Sequence, residues 1–539
     1  MADSIDPARV RDLTHRLVAS SSVSPDAIAE NACGAALRAE LASFAETGTW
    51  GLADGREITW ALVRGGSSRT LVCLGHHDTV AVGEYAALDS AGDARLAFDP
   101  ERLRERLLTL AAGSSESLPD HLRADLEQER STPGTWMFGR GALDMKSGLA
   151  AGVEALRAYA TRDGGPAGSV LFVSCPDEEV HSVGMLAAVP RILELRDAQG
   201  LAFEGAINLD YAEEPAIHFG VAGKLLLQLW VLGDPTHASE PFRGVDATQL
   251  AAAIVSQLTL DPALADLDAD SRGVPPVVLR LRDLKDAYDV QTALEAVAEV
   301  NLLTRGRSLS EWIRVLKRSV SETLASHARS MRELAARLAP AERARELATP
   351  RVLSYAELAE RAGPAARETA ERAAADAIAR GADVRESTLV RVRTLARLAQ
   401  LSGPAVVLAL APPYYPAAAA REAPIARIAR EVAERHDLAV RGVYPHITDA
   451  SYVAWRDAPA ARLAEWLPAL GAEYRLPIDA ATALDLNVVT LGPWGRDAHG
   501  RFERVHAPHA FATLPAALLE LFSRTLDRTV PPTELEPPS

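Results

Sequence analysis

Residues 169–184 read SVLFVSCPDEEVHSVG and combine a run of bulky apolar side chains with an abrupt stop at Pro176. A run of this length that ends at a proline is typical of a buried strand that leads into a turn. Glu178 and Glu179 therefore follow the carboxyl end of a strand, where open α/β sheets place ligands and chemistry. Adjacent carboxylates repel one another, so this pair predicts a nearby cation or proton. A solvated acidic corner is the alternative interpretation of the stretch taken alone.

Similar apolar runs recur along the chain and alternate with helical segments. Strands are predicted at 70–74, 168–175 and 205–210, and each ends near a polar residue such as His76 or Asp210. Helices are predicted from about residue 145 and over 182–198. This alternation predicts the α/β class, with a mainly parallel central sheet that carries helices on both faces.

Length and charge narrow the classes of partner. The chain has 539 residues, which is too long for a single ordinary hydrophobic core and predicts two or more domains. Its net charge of -16 at pH 7 argues against nucleic acid or an anionic membrane as partner. The uncharged stretch 403–420 contains Pro412, Pro413 and Pro416, which disfavours a membrane helix. The first residues lack the apolar core of a signal peptide, and three cysteines provide no disulfide framework. We therefore expect a cytoplasmic protein.

The α/β pattern is interrupted in the middle of the chain, which predicts one domain inserted into another. Residues 1–218 and 421–530 are assigned to a catalytic domain, and 219–420 to a smaller α+β insert. Within the insert, about 288–400 is rich in Ala, Arg, Glu and Leu at helical spacing, which predicts a helical insertion. The tail, 531–539, is expected to be disordered.

Side chains that can bind metal fall at the predicted strand ends or in the loops that follow them. Zinc takes about four imidazole or carboxylate ligands, and a paired site holds its ions roughly 3.5–4 Å apart around a shared ligand. The site therefore needs two histidines and three carboxylates, one of them bridging. The chain offers His76, Asp144, Glu179, Asp210 and His499. Asp78 and Glu178 stand beside them, where an orienting carboxylate and a general base are expected.

The motifs around these residues resemble, in the same order, those of the co-catalytic zinc aminoacylase, carboxypeptidase and dipeptidase family. They are GHHD at 75–78, GRGALDMKSG at 139–148, CPDEEVHSVG at 175–184, NLD at 208–210, HASEPFRG at 237–244 and AHGRFE at 498–503. The long insert and the segments ITDASY and GPWGRDAH are most similar to the bacterial arginine-utilisation proteins of that family. The resemblance implies two Zn2+ ions, with Co2+ or Mn2+ as alternatives, and an insert that serves as a lid or as the surface of a homodimer.

The resemblance also implies a role for each residue. The metal ligands would be His76, Asp144, Glu179, Asp210 and His499, with Asp144 bridging both ions. Glu178 would take a proton from the water between the metals, and Asp78 would fix the tautomer of the first histidine. His237, from the insert, would donate to the oxyanion, in this family often across a dimer interface.

Most of these assignments have an alternative. The competing residues are His77 for His76, Glu213 or Glu214 for Asp210, and His506 or His509 for His499. Asp144 can instead cap the helix that follows it. The residues THAS around His237 fit an ordinary turn, and Asp449 belongs either near the site or to a surface turn.

Two departures from the family pattern leave the substrate open. Relatives often have Asp-x-Arg in the insert, whereas this chain has Asp289, Val290 and Gln291, so no arginine that clamps a substrate carboxylate is identified. The Gly-Gly pair that often precedes the later Ser/Thr-Asp is replaced by His446 and Ile447. The shape of the substrate near that loop is therefore not predicted.

The sequence predicts a zinc-dependent amidohydrolase that cleaves a C–N amide bond of a small N-acylated amino acid or short peptide by attack of a metal-bridging water. An aminopeptidase or dipeptidase is the first alternative, and a catalytically silent metal-binding protein of amino-acid catabolism is the second. Other enzyme classes fit poorly, because the chain contains neither a GxSxG elbow nor an HExxH helix. Asp144 also stands where a dinucleotide fingerprint requires its third glycine.

Overall fold

A computed structural model describes residues 5–113, 118–267, 273–338, 350–471 and 473–527. The chain divides into two compact units. The first unit contains the chain up to Val221, Ala418–Trp455 and the chain from Asp479, and the second contains Ala222–Ala417 and Arg456–Ile478. The tail predicted to be disordered, 531–539, lies outside the described residues.

The chain first forms most of the first unit. Its strands there are β1 (Glu46–Gly51), β2 (Glu57–Val63), β3 (Arg69–His76), β4 (Trp136–Phe138), β5 (Ser169–Cys175), β6 (Ala202–Asn208) and β7 (Ala216–Val221). Its helices there are α1 (Pro7–Ala19), α2 (Ala27–Leu41), α3 (Pro100–Ala112), α4 (Asp120–Ser131), α5 (Ser147–Ala160) and α6 (Val183–Gln199).

The second unit follows, and the chain then returns to the first, except for Arg456–Ile478, which belong to the second unit. The middle elements are β8 (Gly223–Leu232), α7 (Ala247–Leu258), β9 (Val277–Asp283), β10 (Glu295–Thr304), α8 (Leu309–Leu338), β11 (Arg351–Ser354), α9 (Tyr355–Ala362), α10 (Pro364–Ala379), α11 (Val384–Leu398) and β12 (Ala405–Tyr415). The last elements are β13 (Ala418–Ala419), α12 (Pro424–Arg435), β14 (Ala439–Val440), α13 (Ala460–Ala464), α14 (Ile478–Leu484), β15 (Val488–Thr490), β16 (Gly495–Arg496), β17 (Arg504–His506) and α15 (Leu514–Leu526).

The main sheet of the first unit has the strand order β1-β2-β5-β3-β6-β15-β7-β13, with β14 beside β7. Its centre is parallel, because β3 pairs in parallel with both β5 and β6, and β15 pairs in parallel with β6. Every residue of β5 is buried, as expected for a strand covered on both faces. These pairings confirm the predicted α/β class.

Helix α5 lies very close to the end of β6. A Cβ atom added to Gly148, in the first turn of α5, would stand 2.2 Å from the carbonyl oxygen of Leu209. Only glycine permits this approach of backbone to backbone. The turn that precedes α5 is thereby brought next to the residue after Leu209, which is Asp210.

Residues 84–135 are rich in charged side chains, which taken alone favours loops, but this stretch contains α3 and α4. Pro100 occupies the first turn of α3, and the Asp99 side chain accepts a hydrogen bond from the Arg102 backbone N–H as its N-cap. Buried leucines of both helices, such as Leu103 and Leu122, form a separate hydrophobic cluster. Most of the charged residues of these helices are exposed, although Asp125 and Glu129 are buried, and this density of charge hides the apolar spacing in the sequence.

The second unit is built on a sheet with the order β11-β12-β8-β10-β9. Helices α9 to α11 pack on it through a core that includes Trp230, Val297 and Leu395. Strand β10, at 295–304, lies inside the stretch 288–400 that the sequence assigns to a helical insertion. Its Ala and Glu residues favour a helix locally, but pairing with β8 and β9 on either side overrides that propensity.

Residues 456–478 also differ from the predicted division, because they belong to the second unit rather than to the returning catalytic segment. The carbonyl oxygen of Trp466 accepts a hydrogen bond from the Leu410 N–H of β12, which ties this stretch to the sheet of that unit. None of the helices in the described part of the chain has both the length and the apolar character that a membrane span requires.

Candidate metal centre

Three neighbouring parallel strands deliver polar side chains to one edge of the main sheet. His76 is the last residue of β3, which lies between β5 and β6. Glu178 and Glu179 occupy the turn after β5, and Asp210 follows the end of β6. The carboxyl ends of parallel strands share one edge, so these four side chains meet there.

Asp144 connects the histidines of the centre. Its backbone has φ -109° and ψ 100°, so it is not helical, and α5 begins only at Ser147. One carboxylate oxygen, Oδ1, lies 3.0 Å from Nε2 of His76. The other, Oδ2, lies 3.0 Å from Nε2 of His499, a residue in the turn between β16 and β17. Asp144 therefore faces both histidines rather than capping α5.

The donor atoms form two groups that share Asp144. The first group contains His76, Asp144 and Asp210, and the second contains Asp144, Glu179 and His499. Within each group the donor atoms lie within 4.8 Å of one another. Nε2 of His499 is also 3.0 Å from Oε2 of Glu179. Imidazole and carboxylate donors around a shared carboxylate fit a pair of divalent metal ions.

The carboxylates of the centre have few compensating charges. Among the described residues, no Lys or Arg forms an ion pair with Glu178, Glu179 or Asp210. Burial, reinforced by Asp144, raises the pKa of Asp210 to about 7, and desolvation raises the pKa of Glu178 well above its usual range. Acids in such a cavity become neutral unless cations neutralise them. This charge distribution also fits bound metal ions.

The pKa values of the two histidines are also raised, which favours the charged form of an imidazole ring. Burial disfavours a charged His76, but its contacts with Asp144 and Asp78 raise its pKa well above the usual value. Hydrogen bonds with Asp144 and Glu179 raise the pKa of His499 to about 11. In the metal-free protein both rings therefore hold a proton that a metal ion must displace.

Asp78 contacts both the histidine of β3 and the turn after β5. Its Oδ1 lies 3.5 Å from Nδ1 of His76, the ring nitrogen that does not face Asp144. The same oxygen accepts the backbone N–H of Glu178 at 3.1 Å, and Oδ2 accepts the N–H of Glu179 at 3.2 Å. One buried carboxylate thus orients the histidine of β3 and holds the turn that carries both glutamates.

The competing residues lie elsewhere. His77 is buried, and its Nδ1 is 2.9 Å from the Ser174 hydroxyl on β5. Glu213 is exposed, and Glu214 forms a surface ion pair with Arg441 at 2.6 Å. His506 stacks on Trp494 with their ring centroids 4.7 Å apart. His509, also buried, has its Nε2 3.3 Å from the carbonyl oxygen of Gly492. The structure therefore brings His76, Asp210 and His499 to the centre rather than their neighbours.

Asp449 is buried and begins a short helical turn, Asp449–Val453, so it does not lie in a surface turn. Burial raises its pKa to about 7, and its charge contributes to the raised pKa of Glu178. His446, in the position of the missing Gly-Gly, stacks on Tyr211 with a centroid distance of 5.0 Å. The ring of Tyr211, the residue after Asp210, is thus stacked against the ring of His446.

His237 belongs to the second unit, in the loop after β8. Its ring is exposed, and its Nδ1 is 2.7 Å from the Ser239 hydroxyl. Its backbone pairs with Gln291 in an isolated antiparallel bridge. Its role toward the oxyanion stays a prediction.

Sequence reasoning missed two arginines that support the turns of the centre. Arg56 donates to Asp177 at 2.5 Å, and the carbonyl oxygen of Asp177 accepts the N–H of Ser182, so the turn after β5 is anchored at both ends. Arg140 contacts Glu503 at 2.5 Å. Arg140 stands four residues before Asp144, and this closeness was the available signal. Arg56 gives no such signal, because it is distant in sequence.

The profile of the family described as "Peptidase family M20/M25/M40" matches residues 118–465. The chain belongs to this family. It is 30% identical to "Uncharacterized protein YqjN" of Bacillus subtilis (strain 168) over 498 residues, which cover 88% of each chain. It is 25% identical to "Protein RocB" of the same organism over 85% of this chain and 83% of that one.

A solved structure shares the fold of this chain. A tripeptidase from Staphylococcus aureus matches with a TM-score of 0.53 and 14% identity, over 97% of this chain and all of the other, and this shows the fold. The family predicted from the motifs is therefore confirmed. As an M20 member, the protein is a metallohydrolase that acts on amide bonds.

We expect His76→Gln to remove about one of the two metal ions, because His76 belongs to one donor group only. His77→Gln is the matched control, since the adjacent ring is equally buried but faces Ser174. The bound metal per chain, measured by mass spectrometry after dialysis, checks this. Equal metal content in the two variants would contradict the geometry.

Metal uptake by the metal-free M20 enzyme is expected to release protons. The pKa of His499 is raised to about 11, so at pH 8 its ring is protonated and must lose about one proton to bind metal. Apparent affinity should therefore rise with pH across neutrality. Calorimetry in buffers of different ionisation enthalpy counts the protons released. His499→Gln should release fewer, and uptake without proton release at pH 8 would rule out this protonation state.

Proposed function

We propose that this M20 enzyme is a zinc-dependent amidohydrolase that cleaves the C–N amide bond of a small N-acylated amino acid or short peptide. One observation carries the proposal. Asp144 directs one oxygen to each of two histidines, while Glu178 lies beside these groups and belongs to neither. A shared carboxylate with a separate acid is the arrangement that hydrolysis with paired metals requires.

The proposed ligands of the two ions are His76, Asp144, Glu179, Asp210 and His499. Two zinc ions bound there supply Lewis acidity, which activates water and polarises the scissile carbonyl. Zinc is proposed because imidazole together with carboxylate suits it, and Co2+ or Mn2+ accept similar donors. Asp144 holds the two groups together, and Asp78 keeps the ring of His76 in one tautomer.

Glu178 is the proposed general base. Its backbone N–H is held by Asp78 at 3.1 Å, which fixes the start of its side chain. Desolvation raises the pKa of Glu178, and the charges of neighbouring acids such as Asp449 raise it further. A carboxylate with a raised pKa takes a proton from water and returns it to the leaving amine more readily than an exposed one.

The two compact units support a division into a catalytic domain and an inserted lid or dimerisation domain. We propose a homodimer formed through the second unit, with His237 as the donor to the oxyanion. Strand β9 lies at the edge of its sheet, and Val277, Leu279 and Leu281 are 37%, 59% and 39% exposed. The exposed apolar residues alternate with Arg280 and Arg282 along β9, so one face of this edge strand is apolar, and a second copy can pair there.

Leu279→Lys is expected to convert the dimer to monomer, because a charge on β9 opposes pairing of two edges. Light scattering after size exclusion measures the mass. Leu398→Lys, at an exposed leucine at the end of α11, is the control and should leave the mass unchanged. A dimer that survives the change in β9 would exclude this edge as the interface.

A panel of N-acyl amino acids and dipeptides, assayed for release of free amine with zinc bound, tests the proposed activity. Turnover of N-acyl amino acids supports the deacylase, and turnover of peptides alone supports the aminopeptidase or dipeptidase. Two bound ions without turnover on any substrate would favour the silent metal-binding alternative.

Glu178→Gln should retain both metal ions and lose hydrolysis by about 10^2- to 10^4-fold, since a neutral amide cannot accept the proton. Metal content and turnover are measured on the same sample. Glu213→Gln, at an exposed acid near the centre, is the control and should keep its activity. Loss of zinc together with activity in the Glu178 variant would assign this residue to the ligands instead.

A further inference from the structure

The two turns that carry Asp144 and His499 are not held by the main sheet. Asp144 precedes α5 in a non-helical conformation, and His499 has a φ of +63°, which a residue other than glycine rarely adopts. Ligands from β3 and β6 inherit their positions from strand pairing, whereas these two need another support.

Glu503 supplies that support on one side. Its side chain is fully buried, and Oε1 accepts the backbone N–H of Leu143 at 3.1 Å and of Asp144 at 3.2 Å. Its backbone carbonyl accepts the N–H of Gly139 at 3.1 Å. Glu503, which directly precedes β17, thus holds both the start and the end of the turn that carries Asp144.

Arg140 completes the connection. Its guanidinium is 1% exposed and donates to Oε2 of Glu503 at 2.5 Å and to the backbone carbonyl of His499 at 2.9 Å. It also donates to Oε1 of Glu84 at 2.5 Å and lies 5.4 Å from the ring centroid of Tyr85. The guanidinium therefore contacts the turn of His499 directly and the turn of Asp144 through Glu503.

The Tyr85 hydroxyl adds a third contact to the turn that carries His499. It donates to the carbonyl oxygen of Gly500 at 3.0 Å, directly after His499. Buried ion pairs contribute little net stability, because desolvation offsets their attraction. A buried pair that also contacts the backbone of both ligand turns fits a role in geometry better than one in stability.

We propose that Arg140 and Glu503 are positioning residues that hold Asp144 and His499 at the spacing required for metal binding. The proposal rests on the proposed two-metal centre. Arg140 touches the backbone of His499, which belongs to one donor group, and touches no residue of the group formed with His76 and Asp210. Its loss should therefore weaken the binding of one ion more than that of the other.

Arg140→Lys tests this, because lysine keeps the charge but cannot reach Glu503 and His499 together. Stepwise Zn2+ affinities, measured by competition with a chelator, should show the ion of the His499 group bound about 10- to 100-fold more weakly and the other ion weakened by a smaller factor, because Asp144 belongs to both donor groups. Titration with Co2+ should show the larger change in visible absorption for the ion of the His499 group, since that spectrum reports the geometry of its ligands.

Arg391→Lys is the matched control. Arg391 is also 0% exposed, and it contacts Glu371 and Glu473, each at 2.7 Å, within the second unit. This variant should lower thermal stability as much as Arg140→Lys does, but leave both Zn2+ affinities at the wild-type values. Equal loss of affinity in the two variants would assign Arg140 to general stability and overturn the proposal.

Tyr85→Phe keeps the test decisive if Arg140→Lys does not fold. It removes only the hydroxyl that contacts Gly500, and it should weaken the same ion by a smaller factor. If both variants fold, unchanged Zn2+ affinities in both would refute the proposal. If only Tyr85→Phe folds, an unchanged Zn2+ affinity in that variant would refute it. Because the readout is metal affinity, the positioning role can stand even where the substrate panel shows no hydrolysis.

Discussion

The centre depends on the electrostatic cost of burying several carboxylates together. Glu178, Glu179 and Asp210 are desolvated beside Asp144, and among the described residues no Lys or Arg pairs with them. Such a group is unfavourable unless cations neutralise it. The two donor groups around Asp144 place nitrogen and oxygen atoms where metal ions satisfy this need. The surrounding structure serves to keep these like charges close, because they would otherwise separate.

Turns near the centre are held by the same physical device, a buried carboxylate that accepts backbone N–H groups. Asp78 accepts from Glu178 and Glu179, and Glu503 accepts from Leu143 and Asp144. Turns are the most mobile parts of a fold, so these contacts give them the rigidity that strand pairing gives to His76. An enzyme site with ligands from strands and from turns needs both kinds of support.

Much of the fold and of the candidate site could be predicted from local patterns. The apolar runs of β3, β5 and β6 mark buried parallel strands, and the polar residues that follow them meet at one sheet edge. Where local signals conflicted with tertiary pairing, the prediction failed. Strand β10 contains helix-favouring residues, and the charges of α3 and α4 concealed their apolar spacing. Pairing with neighbouring strands and packing of whole helices are not visible in a short window of sequence.

The sequence by itself determined the α/β class, the order of the motifs and the residue types that can bind metal, because strand length, turn chemistry and ligand chemistry are local properties. Only the tertiary structure decided between His76 and His77, since neighbouring residues at a strand end point in opposite directions and the packing of the sheet selects one. It also decided that Asp449 is buried and that Arg140 reaches the backbone of His499, 359 residues away in the chain. Contacts over such distances depend on how the turns meet after folding, which no local pattern encodes.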